Sequence, residues 1–349
     1  MGDRVREENI STITNCEISP VHSVTNNSGE DAIKKEQQAV ALANQGQLTK
    51  AETILRELIA RGTKNDTVYG NLAAICGMQG RFDELCSLLN KALQLNPSNP
   101  EVHNNHGIIL YSQGKHDEAI ASYRKAIKLK PNFPEAYNNL GNSLQKQGDL
   151  TAAVASYKRA IQLKVDFAQA HSNLGNAFQE QGDLTAAITS YRKAIELNIN
   201  SLDTHYNLGN ALKEKGDLIA AIASYHLALR LKPNFPKAYN NLGATYQTQG
   251  DLNKAVMSYR RALKLKPNYP EAFNNLGNTL REKGELKASI VSYSRALQLK
   301  PDYPEAHNNL GIALKEKGNL IAAITSFNKA LQLKPDYPEA HANLGNALH

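Results

Sequence analysis

Nine asparagines recur at a fixed interval of 34 residues: Asn71, Asn105, Asn139, Asn173, Asn207, Asn241, Asn275, Asn309 and Asn343. Asn142, Asn176, Asn210, Asn278 and Asn346 follow three residues behind members of that row. A side-chain amide offers both N–H donors and a carbonyl acceptor. A row of them could therefore hydrogen-bond the main chain of an extended peptide whatever its sequence. Asparagine is only a middling helix former, so helical propensity does not account for the row.

The row is one line in a repeat. From Pro100 the segment PEVHNNHGIILYSQGKHDEAIASYRKAIKLKPNF is followed in phase by PEAYNNLGNSLQKQGDLTAAVASYKRAIQLKVDF, and the pattern runs to His349. A fixed period of this length marks a solenoid. Its units are too small to bury their apolar faces alone, so they stack on one another. Full units start at residues 32, 66, 100, 134, 168, 202, 236, 270 and 304, and a partial tenth at 338. Positions are counted below from the first residue of a unit. Residues 1–31 lack the periodicity, are polar, and read as a disordered leader ahead of a solenoid over 32–349.

Glycine and proline punctuate each unit. Of 22 glycines, 17 fall at positions 8 and 15; of 13 prolines, 12 fall at position 32 and at position 1 of the next unit. Proline at position 1 suits the first turn of a helix, and at position 32 it stops the preceding one. Gly148, Gly182 and Gly216 are each followed by aspartate, which caps a second helix. Each unit thus reads as helix A, turn, helix B, turn. Position 7 is mostly leucine and position 8 glycine. Positions 20 and 27 are mostly alanine, and position 24 is a ring, as in Tyr157, Tyr225 and Phe327. Small residues opposite large ones give interlocking helices.

Leu242, Gly243, Ala255, Tyr259, Ala262 and Pro267 exemplify that set, which resembles the tetratricopeptide repeat. The resemblance covers 32–349 and implies an all-α, right-handed α-solenoid, a superhelix of nine complete units and part of a tenth. Units one and two depart from it (Gln38, Leu58, Leu85, Leu89), as a terminal cap does. His106 replaces leucine and Ser289 replaces alanine. Val165/Ala168 and Ile199/Leu202 replace the proline pairs, so those joints are expected to bend differently.

At about 100° per residue, positions 3, 4, 7, 8, 10 and 11 of helix A form one arc and are apolar or small. Positions 2, 5, 6, 9, 12 and 13 form a polar arc. In the resembled family helix A lines the concave side, which would place the asparagines in the groove. The row looks like the asparagine ladder of the superhelical tetratricopeptide domain of O-linked N-acetylglucosamine transferases, and AHSNLGNAFQEQG at 170–182 is especially close to that type. Two roles remain open for the amides: holding an extended partner, or bonding neighbouring helices for the sake of the stack. A co-chaperone carboxylate clamp would need lysine at position 5, which here is asparagine, serine or tyrosine from Asn104 to Asn308.

Other signals weigh less. Histidine at position 4 (His103, His171, His205, His307, His341) lies on the apolar arc and reads as packing. Cys76 and Cys86 read as core. Lysine and arginine gather late in helix B, as in Arg124, Lys125, Lys128 and Lys130, where the helix C-terminus favours them. Rings for base stacking do not interleave that ridge, so nucleic acid is disfavoured despite a net charge of +7. Walker A, HExxH, GxSxG and dinucleotide fingerprints are missing, and the chain is read as non-catalytic, without cofactor or metal. Three cysteines and no apolar run of the roughly 20 residues that span a membrane make the cytoplasm the default. The array stops within helix A of unit ten, leaving Leu344 and Leu348 without a helix B. The expectation is that the polypeptide continues, in the transferase case into a catalytic domain, or that a partner covers the end. The function expected is a scaffold binding a protein or extended peptide, with a recognition arm of a glycosyltransferase or other modifying enzyme as the alternative.

Overall fold

The computed structural model describes residues 30–348. The leader expected over 1–31 lies outside them, apart from Glu30 and Asp31, which open the first helix. Nineteen α-helices and no strand occur among the described residues. They alternate as A and B helices, from Glu30–Asn44 and Leu48–Ala60 at one end to Leu320–Leu333 and Pro338–Leu348 at the other. The chain is an all-α array of helical hairpins.

Two compact bodies make up the array, Met1–Asp183 and Leu184–His349. In the first, the A helices are Glu30–Asn44, Asp66–Met78, Pro100–Ser112, Pro134–Gln147 and Ala168–Glu180. In the second they are Leu202–Lys215, Pro236–Gln249, Pro270–Glu282, Pro304–Glu316 and Pro338–Leu348. Within each body, every A helix but the last packs on the B helix that follows it and touches the next A helix.

Local chemistry sets these bounds. Proline occupies the first turn of the helices starting at Pro100, Pro134, Pro236, Pro270 and Pro304. Gly148 ends its helix at φ 87°, a left-handed conformation that a side chain would strain. Asp149, Asp217 and Asp251 then cap the B helices, accepting from the N–H groups of Ala152, Ala220 and Lys254. Position 24 supplies the core's largest rings: Tyr123, Tyr157, Tyr225, Tyr259, Tyr293 and Phe327 are 0–1% exposed.

Glycine at position 8 makes room for them. A Cβ on Gly141 would lie 2.6 Å from the Tyr157 ring, and one on Gly311 2.5 Å from the Phe327 ring. The departures from the pattern are accommodated. Ser289, fully buried, donates to the Gly277 carbonyl at 2.9 Å. The His106 Nδ1 lies 3.3 Å from the Ser122 hydroxyl.

Candidate functional site

The A helices of the two bodies carry every asparagine singled out by the sequence, and within each body hydrogen bonds join several of them across units. In the first body, Asn139 Nδ2 donates to Asn104 Oδ1 at 3.1 Å. Asn173 Nδ2 donates to both Asn138 and Asn142, each at 3.0 Å. In the second, Asn275 donates to Asn240 at 3.2 Å, Asn309 to Asn274 at 3.0 Å and Asn343 to Asn308 at 3.0 Å. Asn241 donates to the Tyr206 hydroxyl and to Asn210 Oδ1, both at 2.9 Å. The rule is that position 6 donates to position 5 of the preceding unit. Tyrosine at position 5 keeps the rung by offering its phenolic oxygen.

Position 5 therefore belongs to the stack, although the helical arithmetic put it on the open arc. Asn104, Asn138, Asn274 and Asn308 are 0–6% exposed. Asn71, Asn105 and Asn173 at position 6 are buried as well, while Asn139, Asn207, Asn241, Asn275, Asn309 and Asn343 are partly exposed. Of the two roles left open, bonding between neighbouring helices is what the amide nitrogens do. The carbonyl oxygens of Asn139, Asn275, Asn309 and Asn343 accept no hydrogen bond among the described residues.

Position 9 is held from the other side. The Tyr157 hydroxyl donates to Asn142 Oδ1 at 2.8 Å, Tyr225 to Asn210 at 2.7 Å and Tyr293 to Asn278 at 2.7 Å. The buried ring thus anchors the amide by its oxygen and turns the NH2 group away. The NH2 groups of Asn142, Asn210 and Asn278 meet no acceptor among the described residues. In Asn139/Asn142 and Asn275/Asn278, one helix presents an unengaged carbonyl and, one turn on, an unengaged amide. Asn176 is partly exposed in the same layer. A further row crosses between units: Gln145 donates to Glu180 and Gln247 to Glu282, both at 2.6 Å, and Arg281 to Glu316 at 2.8 Å.

Sequence reasoning missed the task of the position-4 histidines. Nε2 of His103, His205 and His307 lies 2.8–3.0 Å from the carbonyl of Pro97, Ile199 and Pro301, at the turn before each A helix. The spacing of six residues to position 32 was the available signal. Lysines at the same turns lie over rings, as Lys130 over Phe133 at 4.4 Å and Lys300 over Tyr303 at 4.5 Å. Cys76 is fully buried and its thiol is pushed up to about 11 by that burial. No group of three or more His, Cys, Asp or Glu side chains among the described residues could hold a metal ion. No helix among them is long and apolar enough to cross a membrane.

Stacked hairpins joined rung by rung within each body, with amides carried on their A helices, define a helical-repeat protein of the interaction-scaffold class. Models of the TPR repeat match residues 107–148, 141–182, 176–216, 209–250, 277–318 and 313–349, and tetratricopeptide-repeat models match 236–269 and 258–290. With more than half of its length matched, the chain belongs to the tetratricopeptide-repeat family. Among solved structures it is similar to a chain of the APC/C hetero-tetramer Cut9-Hcn1, at 18% identity and a TM-score of 0.56, covering 93% of this chain and 64% of that one. It is similar to the C-terminal part of a TPR repeat-containing protein from Cytophaga hutchinsonii, at 19% identity and a TM-score of 0.56, covering 68% of this chain and 98% of that one. It is also similar to PilF of Pseudomonas aeruginosa, at 20% identity and a TM-score of 0.53, covering 61% and 97%. These likenesses concern the fold. A comparison with curated proteins finds no match.

Proposed function

We propose that this chain is a non-catalytic scaffold that holds an extended protein segment along its A-helix layer. The observation carrying the proposal is the anchored position-9 amide: Asn142, Asn210 and Asn278 each have the oxygen tied to a tyrosine and the NH2 group left to donate. The unengaged oxygens of Asn139, Asn275, Asn309 and Asn343, residues that are partly exposed, supply the complementary acceptors. A main chain offers both senses at every residue. Preset amides bind it at little ordering cost, since their side chains are already fixed. Position 6 then has two tasks, its nitrogen serving the stack and its oxygen the partner. Asn207, Asn241 and Asn176, which are partly exposed, complete the proposed lining, whereas Asn71, Asn105 and Asn173 are buried in the stack and are not part of it.

The direct test uses fluorescein-labelled unstructured peptides of about 15 residues and anisotropy. Binding that survives scrambling of the peptide sequence but weakens when backbone amides are replaced by esters supports the reading. Binding indifferent to ester replacement overturns it.

The finer alternative is the substrate-recognising arm of an O-linked N-acetylglucosamine transferase-like or other modifying enzyme. It rests on the sequence resemblance at 170–182 alone. A reading frame that continues past His349 into a transferase domain would support it, and a stop codon there would remove it. The free thiols of Cys76 and Cys86 favour a reducing compartment, and we place the chain in the cytoplasm.

A further inference from the structure

One rung of the second body is chemically incomplete. Position 12 of one unit bonds position 13 of the next where Gln247 meets Glu282 and where Arg281 meets Glu316. One unit earlier, position 12 is Lys213 and the following position 13 is Thr248. Threonine brings no charge to the rung. Lys213 makes no hydrogen bond or ion pair among the described residues.

Its surroundings are not those of an ordinary surface lysine. Lys215 and Lys287 are exposed, whereas Lys213 is only partly so. Burial holds the Lys213 ammonium below the usual lysine range, and no nearby carboxylate opposes that shift. One helical turn before it stands Asn210. Both Tyr225 and Asn241 donate to Asn210 Oδ1, so that amide is fixed with its NH2 group unengaged. Tyr206, Asn210 and Lys213 fall on one stripe of the helix Leu202–Lys215. A partly desolvated cation beside a fixed amide donor gains from a carboxylate more than a solvated lysine does.

We infer that Lys213 and Asn210 form a docking point for the side-chain carboxylate of an aspartate or glutamate in the bound segment. This rests on the function proposed above and deepens it: the amides hold the main chain without regard to sequence, and Lys213 sets the register. In the two later rungs of this body, Gln247 with Glu282 and Arg281 with Glu316, the protein supplies its own acid. Here the partner would supply it.

The probe is a set of labelled peptides of about 15 residues, built on a Gly/Ser/Thr/Ala background. A single glutamate is walked along each peptide, with a glutamine counterpart for every position. Wild-type protein is expected to bind one glutamate register about five-fold tighter than its glutamine counterpart, a preference that shrinks in high salt. Lys213→Gln abolishes the preference. Thr248→Glu abolishes it too, by giving Lys213 an internal acid, while affinity for the glutamine peptides is unchanged. Lys287→Gln leaves the preference intact, and circular dichroism confirms that all three variants are helical. Measurable binding with equal affinity for both series overturns this inference and leaves the scaffold reading standing. So does a preference that survives in helical Lys213→Gln. Absence of binding by every peptide overturns the scaffold reading, and this inference with it.

Discussion

Gly277 and Tyr293 share one space: a Cβ on Gly277 would lie 2.5 Å from Cε1 of the Tyr293 ring. The ring is fully buried, so it has no open side to move into. Alanine at a helix interior normally gains about 1 kcal/mol over glycine. Here the overlap wins, and Gly277→Ala is expected to destabilise the second body by about 1–3 kcal/mol. Urea unfolding followed by circular dichroism reads this as a lower midpoint. In a Tyr293→Leu background, where the ring the methyl meets is gone, the same substitution should cost less.

Asn173→Ala tests the stacking task of position 6. Asn173 gives two hydrogen bonds to the preceding unit, and Asn138, one of its acceptors, is 5% exposed. Removing the donor leaves a buried carbonyl unpaired, at about 1–3 kcal/mol. Asn343→Ala removes a single hydrogen bond, to Asn308, and should cost less. Equal urea midpoints for Asn173→Ala and wild type would contradict the rung assignment.

The first body should lose stability in mild acid. Burial holds His103, His106 and His116 below the usual histidine range, and for His106 the neighbouring His103 adds to the effect. The unfolded chain takes up protons near pH 6.5, as free histidine does. The folded chain resists, so the contribution is complete above about pH 6.5 and is lost as the pH falls through the folded values. His106→Leu, which restores the residue usual at position 7, should flatten the urea midpoint between about pH 7 and 5. An unchanged slope would contradict this.

Cys76 should be inert. With its thiol pushed up to about 11 and no exposed surface, it is neither ionised nor reachable at neutral pH. Iodoacetamide under native conditions should label the partly exposed Cys86 and spare Cys76, as read by peptide mass spectrometry. Labelling of Cys76 at the rate of Cys86 would overturn the assignment.

The hairpins were legible because their determinants are local. Pro134 at a first turn, Gly148 in the left-handed region and Asp149 as cap act within a few residues of the chain. The match of Gly277 to Tyr293 was legible because the repeat displays it again and again. The rungs were not legible, because a period gives the spacing of units and not the phase of one helix against the next. Asn104 and Asn139 are 35 residues apart, and only coordinates show that they face each other. Position 5 was misplaced for that reason: a helical wheel sorts polar from apolar arcs but does not show where a neighbouring helix covers the polar one. The unpaired state of Lys213 was invisible until the pairing of Arg281 with Glu316 gave the rule that Thr248 breaks.

The most direct test of the scaffold reading exchanges the proposed donors for acceptors of the same shape. Asn142→Asp, Asn210→Asp and Asn278→Asp keep the oxygen that each tyrosine hydroxyl bonds and replace the NH2 group with a second oxygen. Combined in one chain and tested by anisotropy against sequence-scrambled peptides, they should weaken binding about ten-fold or more while helicity is retained. Undiminished binding by the helical triple variant would contradict the claim that these amides hold the partner.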